Sequence, residues 1–438
     1  MRRAVRGLAL AIAFLLLAGC GELSAQTAGP PLTLERAHAL ALKNHPQVLA
    51  AQATYLRSDQ FIREARSAYF PTINGEITGA QANLSARLGA GALNDPRLFN
   101  HFGSGLALTQ LITDAGRTNN LVANARLMAQ ASRDTYQATR YDVLLAVDQA
   151  YYEVLLSQQL VKVAQQTVAT RTTVTDQVSE LAKNKLRSQV DLSFAQVNLS
   201  NAKLMLLRAQ NRLEAAYAGL AQALGTQQPV AYQLANQPLP PAVAKSAETL
   251  VTEAIQERPE LASLRAQQEA DQKMVYAERD LKRPTVSLIA VGGALPYINP
   301  GNVSGEIPKG YESVGINVQI PIFNGHLFSA RQQAAEYQLQ ASEQHVRDLQ
   351  NRIARDVKTA WENARTAYQA ISTTQQLLDQ ANLALDLAQG RYKLGLASIV
   401  ELTQAQLGQT EAEVENLSAK YEYQETYAAL QYTLGQLQ

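Results

Sequence analysis

A heptad-spaced seam that returns at a fixed offset constrains this chain more than any other feature. Val143, Val147, Ala150, Val154, Ser157, Val161, Ala164, Val168, Arg171, Thr175, Val178 and Ala182 follow one another in alternating steps of four and three. That spacing lays one stripe along a long helix, ready to pack on other long helices. The stripe comes back 210 positions later as Ile353, Val357, Ala360, Ala364, Ala367, Ile371, Thr374, Leu378, Ala381, Leu385 and Ala388. Two long helices in one register make the chain an internal duplication.

Charge and composition remove several classes of function. The 438 residues carry 39 basic and 38 acidic side chains, a balance that gives no basic footprint for nucleic acid. Few Gly and Pro interrupt a chain rich in helix formers. No phosphate-cradling Gly loop, nucleophile elbow or metal-ligand cluster is present, so no enzyme chemistry and no cofactor is expected. His38 and His45 lie on either side of a helix break and read as surface and capping residues, not as a metal pair. Trp361 and the tyrosines fall at helical spacing and read as packing. Four Met residues form no cluster, which gives no sign of a soft-metal relay.

The N-terminus reads as a targeting segment over 1–19. Arg2, Arg3 and Arg6 precede an apolar run from Leu8 to Ala18, too short for a mature spanning helix. Cys20 is the single cysteine of the chain, which excludes an intrachain disulfide. Residues 20–31 are small, polar and Pro-containing, as a tether would be.

From there the same order of elements occurs twice, over 32–224 and 248–438. Thr33 is a candidate N-cap for a short helix broken at Asn44-His45-Pro46. A second helix runs to about Tyr69. Ile73, Gly75, Ile77 and Gly79 then alternate with Thr72, Asn74, Glu76 and Thr78, the period of a strand at 72–80. A second strand is expected at 104–113, with Leu106 and Leu108 on one face. The long helix starts near Thr118. Its partner returns to Leu224 with Leu192, Leu199, Leu206, Leu213 and Leu220 in one row and Ala195, Ala202, Ala209, Ala216 and Ala223 in another. The linker 225–247 is Pro-rich. The second copy breaks at Arg258-Pro259. It places strands at about 284–293 and 312–323, the second carrying Val314, Ile316, Val318, Ile320 and Ile322. Its long hairpin covers 326–438. Pro296, Pro300 and Pro308 mark the loop between these two strands. About ten residues is the length of a transmembrane β-strand, but both faces hold polar residues, so a soluble hairpin on a helical body fits equally well.

Four sets of residues resemble the TolC-like outer-membrane efflux protein family over nearly the whole chain. They are Leu32-Thr33-Leu34-Glu35 through His45-Pro46, repeated by Leu250 through Arg258-Pro259, and the helix-to-strand junctions at Ala68 to Thr72 and Lys282 to Thr285. The strand-to-helix junctions at Thr109 to Arg117 and Ile320 to Gly325, and Arg391 to Ser398, complete the set. Leu17-Ala18-Gly19-Cys20 is similar to a bacterial lipobox, which implies lipidation at Cys20. The resemblance implies a mainly α protein with a transmembrane β-barrel. Three chains of four strands would form a twelve-stranded barrel in the outer membrane of a Gram-negative bacterium, continued by an α-helical tunnel across the periplasm. It implies a passive exit duct for a tripartite efflux or type I secretion system, with a periplasmic adaptor protein and an inner-membrane pump as partners. A lipid-anchored periplasmic coiled-coil scaffold is the alternative.

The resemblance also assigns the tip. Lys183 to Leu192 align with Lys393 to Leu402. By resemblance, Leu186, Ser188, Gly395, Leu396 and Ser398 are adaptor contacts at the periplasmic end. Glu401 and Gln404 fall where relatives carry two pore-lining aspartates, and Asp191 and Tyr392 match a pair that bonds across the closed tip. Ala397 stands where the best-known member has an arginine that helps closure, and Lys185 stands where the family has a glycine in its first copy. Pore constriction is therefore expected at Asp191, Tyr392, Glu401 and Gln404.

Overall fold

The computed structural model describes residues 31–81, 100–226, 232–299 and 309–437. Cys20, the targeting segment and nearly all of the tether lie outside these residues. Each copy contributes helices of identical length. The first has α1 (Leu34–Asn44), α2 (Pro46–Ser67), β1 (Thr72–Ala80), β2 (Asn100–Thr113), α3 (Arg117–Lys183) and α4 (Gln189–Ala223). The second has α5 (Ala247–Glu257), α6 (Pro259–Asp280), β3 (Thr285–Asn299), β4 (Gly310–Gln319), α7 (Leu327–Lys393) and α8 (Ile399–Thr433). α3 and α7 each hold 67 residues, about 100 Å of helix at the usual rise.

Local chemistry sets the boundaries. Thr33 caps α1, its hydroxyl accepting from the Arg36 N–H at 3.3 Å. The His45 ring accepts from the Gln47 N–H at 3.3 Å, and Pro46 occupies the first turn of α2, where a missing N–H is harmless. At the start of α3 the Asp114 carboxylate accepts from Thr118 N–H at 2.7 Å and from Gly116 N–H at 3.2 Å. Gly225 ends the first copy at φ 72°. A Cβ there would lie 2.7 Å from His45 Cα, so the chain end packs directly on the α1–α2 break. Gly435, the same position 210 residues on, packs on Glu257 and Arg258 in the same way.

The expected seam is the core of the helical body. Val143, Val147, Val154, Ser157, Ala164 and Val178 are buried on α3, and Ile353, Val357, Ala360, Ala364, Ala367 and Ala388 on α7. On α4 the Ala row is buried more deeply than the Leu row, which brings α3 and α4 close. α3 packs on α1, α2, α4, α6 and α8, whereas α7 packs on α5, α6 and α8. The linker is strapped across both copies. Tyr151 donates its hydroxyl to Ala235 O at 2.6 Å and Leu32 O at 2.9 Å. Its counterpart Trp361 donates its ring N–H to Lys245 O at 2.9 Å, and Tyr423 reaches Pro241 O at 2.6 Å.

His38 corrects the sequence reading. It is buried, with Nε2 2.5 Å from an Asp148 oxygen. No periodicity links positions 110 residues apart, so the pair was invisible before folding.

The strands form one antiparallel sheet in the order β1-β2-β3-β4. Three strand limits differ from expectation. β2 starts at Asn100, not 104, because its ladder with β3 continues to Asn299. β3 therefore passes through Pro296, which was placed in a loop. Leu295 and Pro296 together oppose Gly103, a bulge that absorbs the missing proline N–H. β4 ends at Gln319 opposite Thr285, so Ile320 and Ile322 have no partner strand.

The register puts Ile73, Ile77, Leu106, Leu108, Leu288, Ala290, Val314, Ile316 and Val318 on one face. Ile77 is 76% and Val314 73% exposed, and no layer among the described residues covers this face. The other face is more polar, holding Thr72, Asn74, Glu76, Thr109, Ser287, Ser313 and Asn317 beside Leu111, Ile289 and Val291. There the Tyr311 hydroxyl lies over Gly105 and Gly293 so closely that a Cβ at either would meet it at 2.5–2.6 Å.

An acidic group sits where α3 meets α8. Glu153 is bound by Arg212 through 2.7 and 3.1 Å bonds. Burial, with Glu153 and Glu422 adding repulsion, raises the neighbouring Glu425 carboxyl to about 7. A native pKa above the unfolded value means the native state holds the extra proton between about 4.5 and 7. Stability from this group is present below the unfolded pKa and is lost as pH rises through about 7. Glu425→Gln should therefore flatten the fall in thermal midpoint between pH 5 and pH 8, read by intrinsic fluorescence in detergent. An unchanged pH slope would disprove it.

Candidate functional site: the hairpin tips

The two long hairpins turn side by side at one end of the molecule. Both turns close with the same backbone device. Leu186 N–H bonds Leu181 O at 2.8 Å while Lys185 N–H bonds Ala182 O at 3.0 Å. Leu396 N–H and Gly395 N–H repeat this with Arg391 O and Tyr392 O at 2.9 and 3.0 Å. The pattern needs a left-handed residue just past the helix. Gly395 supplies it at φ 75°, and Lys185 is forced into it at φ 57°. Lys185 thus occupies a glycine position.

Ser188 and Ser398 cap the returning helices. Ser188 accepts from Asp191 N–H at 3.1 Å, and the Asp191 carboxylate accepts from Ser188 N–H at 3.2 Å, a reciprocal box. Ser398 accepts from Glu401 N–H at 3.2 Å, but the Glu401 carboxylate instead meets Arg391 Nε at 3.1 Å with both groups half-exposed. Leu186 and Leu396 crown the two turns, 69% and 68% exposed. Gly395, Ser188, Ser398 and Gln404 are also exposed.

The structure brings Tyr392 and Asp191 near one another but forms no bond between them. The Tyr392 hydroxyl is buried and has no hydrogen-bond partner among the described residues. Burial raises its pKa, with Arg187 opposing and Asp191 adding a smaller rise.

What ties the hairpins together is a residue the sequence reading did not select. The Arg187 guanidinium lies 4.5 Å from the Tyr392 ring centroid and donates to Tyr392 O at 3.3 Å. Arg187 is the 210-offset counterpart of Ala397. The arginine absent from the second copy is present in the first, and it was detectable only by asking what stands opposite Ala397. Asn198 Nδ2 donates to Thr403 Oγ1 at 3.1 Å, a second link between hairpins. Val178, Ala195, Ile399 and Leu402 form a small core behind them, with Leu192 and Tyr392 packed on it. On α3, Arg171 is buried in the seam and its Nη1 has no partner among the described residues.

Backbone strain at the two turns gives a paired expectation. Lys185→Gly should stabilise the tip and Gly395→Ala should destabilise it, each by about 1 kcal/mol. A Cβ at Gly395 would meet nothing within 4 Å, so only the backbone contributes. Denaturant midpoints of the two variants check this, and shifts of the same sign would overturn it.

The model of the family described as outer membrane efflux protein matches residues 38–226 and 250–436, one match per copy. Outer membrane protein TolC of Vibrio cholerae is 22% identical over 91% of this chain and 89% of its own length. The probable outer membrane lipoprotein SilC of Salmonella typhimurium is 21% identical, covering 89% of this chain and 90% of that protein. A crystal structure of CusC, described with transmembrane channel formation, superposes with a TM-score of 0.78 at 20% identity, covering 92% of each chain. Matched through both of its copies, the chain belongs to the outer membrane efflux protein family.

Proposed function

We propose that three copies of this chain close into a passive exit duct, a β-barrel in the outer membrane joined to a helical tunnel in the periplasm. The observation that carries this reading is the pair of surfaces left open by the duplication. Inside the chain the first copy meets the second through α3 and α6, where Ser263 donates to Ala131 O at 2.9 Å and both residues are buried. Their counterparts under the duplication are Ala50 on α2 and Ala341 on α7. Both are exposed in the single chain. The outer edges of β1 and β4 are likewise open, while β2 and β3 pair across the copies. A ring in which α7 and β4 of one chain meet α2 and β1 of the next satisfies all of these surfaces at once. It also leaves no strand edge in lipid.

The apolar sheet face supports a lipid-facing role and the polar face a water-filled lumen. A lipid-anchored coiled-coil scaffold leaves that apolar face without an environment. Lipidation at Cys20 is compatible with either reading and is part of the proposal through the likeness to SilC. The duct would work with a periplasmic adaptor and an inner-membrane pump, the adaptor meeting Leu186, Leu396 and the turns around them. Asp191, Tyr392, Glu401 and Gln404 would form the constriction.

Ring closure predicts one specific cross-link. Ala50→Cys with Ala341→Cys should give dimers and trimers between chains on oxidation, whereas either substitution alone should not. Absence of the trimer from a non-reducing gel would sink the closed ring.

The constriction predicts ion selectivity. Carboxylates crowded around one axis attract cations. Glu401→Gln should lower cation selectivity in planar bilayers, and Arg391→Gln, which frees Glu401 from its 3.1 Å partner, should raise it. Unchanged reversal potentials in both variants would make Glu401 an ordinary surface carboxylate.

A further inference from the structure

A cavity of about 280 Å³ opens where α3 of the first hairpin meets α7 and α8 of the second, just behind the tip. Its size is close to the roughly 300 Å³ at which small-molecule sites begin. Thr170 and Val174 come from α3, Tyr392 and Lys393 from α7, and Leu402 and Gln406 from α8.

The wall also carries Thr173, Gln177 and Gln389, but its two buried polar atoms without a partner among the described residues can both donate. Gln406 is only 3% exposed, yet its Nε2 has no hydrogen-bond partner among the described residues. The Tyr392 hydroxyl is in the same condition. An amide N–H left without an acceptor is unfavourable, and a bound acceptor would recover that cost. Lys393 adds an ammonium that makes no ion pair among the described residues. Among the described residues no carboxylate lines the cavity; Asp191 lies near Tyr392 but outside the wall, and Arg187 opposes its charge there. Val174 and Leu402 supply apolar wall.

We propose that this cavity is a binding site for a small organic monocarboxylate. Its two oxygens would accept from Gln406 Nε2 and the Tyr392 hydroxyl. One ammonium matches one negative charge, and the short apolar body would lie on Val174 and Leu402. Such a ligand touches both hairpins and joins them from behind the tip. The site is complete within one chain and does not depend on the duct reading.

The test uses the full protein purified in detergent, with fluorine NMR of 4-fluorobenzoate and of its neutral isostere 4-fluorobenzamide. Saturable binding of the carboxylate is expected, with the amide weaker by about tenfold or more. Gln406→Leu should abolish binding, Lys393→Gln should weaken it about tenfold, and Lys183→Gln, the counterpart on the first hairpin, should leave it unchanged. Elution volume reports whether each variant is assembled. Should Gln406→Leu fail to assemble, the Lys393→Gln and amide comparisons decide alone. No saturable binding, equal affinity for the amide, or full affinity in both Gln406→Leu and Lys393→Gln would overturn the assignment.

Discussion

Two strand edges and an uncovered apolar sheet face govern this structure. Backbone N–H and C=O groups on the free sides of β1 and β4 have no partner strand among the described residues. In hydrocarbon no water can satisfy them, so each would be unfavourable by several kcal/mol. The chain is therefore incomplete by construction. The helical body shows the same incompleteness: α6 lies between α3 and α7, while α2 packs on α3 and α1 of its own copy. The contact of α3 with α6 that joins the first copy to the second has its counterpart surfaces, at Ala50 on α2 and Ala341 on α7, exposed in the single chain.

The duplication also explains how such long helices are held without a globular core. α3 and α7 are stabilised by small residues along one stripe and by polar ties at mid-height. Tyr151 and Trp361, equivalent positions in the two copies, both donate to the carbonyls of the linker. The strap thus binds each copy through the same seam-bearing helix. Toward the tip the two hairpins are joined by Arg187 with Tyr392 and by Asn198 with Thr403.

Much of this was legible from spacing. The seam, the helix breaks at His45-Pro46 and Arg258-Pro259, and the alternation in β1 are all local patterns, and local patterns survive in a linear sequence. The extension of β3 through Pro296 was hidden because a bulge against Gly103 excuses a proline that normally ends a strand. His38 with Asp148, Arg187 with Tyr392, and Glu425 beside Glu153 join positions far apart in the chain. No periodicity encodes such pairs; they exist only once the copies are packed. At the tip, Ser188 and Ser398 were legible in position, and their capping of the returning helices shows only in the folded chain.

Arg187 and Ala397 carry a consequence for descent. A duplicated chain presents each tip position twice, and the two turns face each other closely enough for a side chain on one to reach the other. A latch can therefore migrate from one copy to its sibling by two ordinary substitutions, in either order, without the turn ever losing its fold. Column-by-column comparison of relatives would score Ala397 as a lost residue. Comparison of each chain with itself, shifted by one repeat, would find an arginine at the sibling position, Arg187.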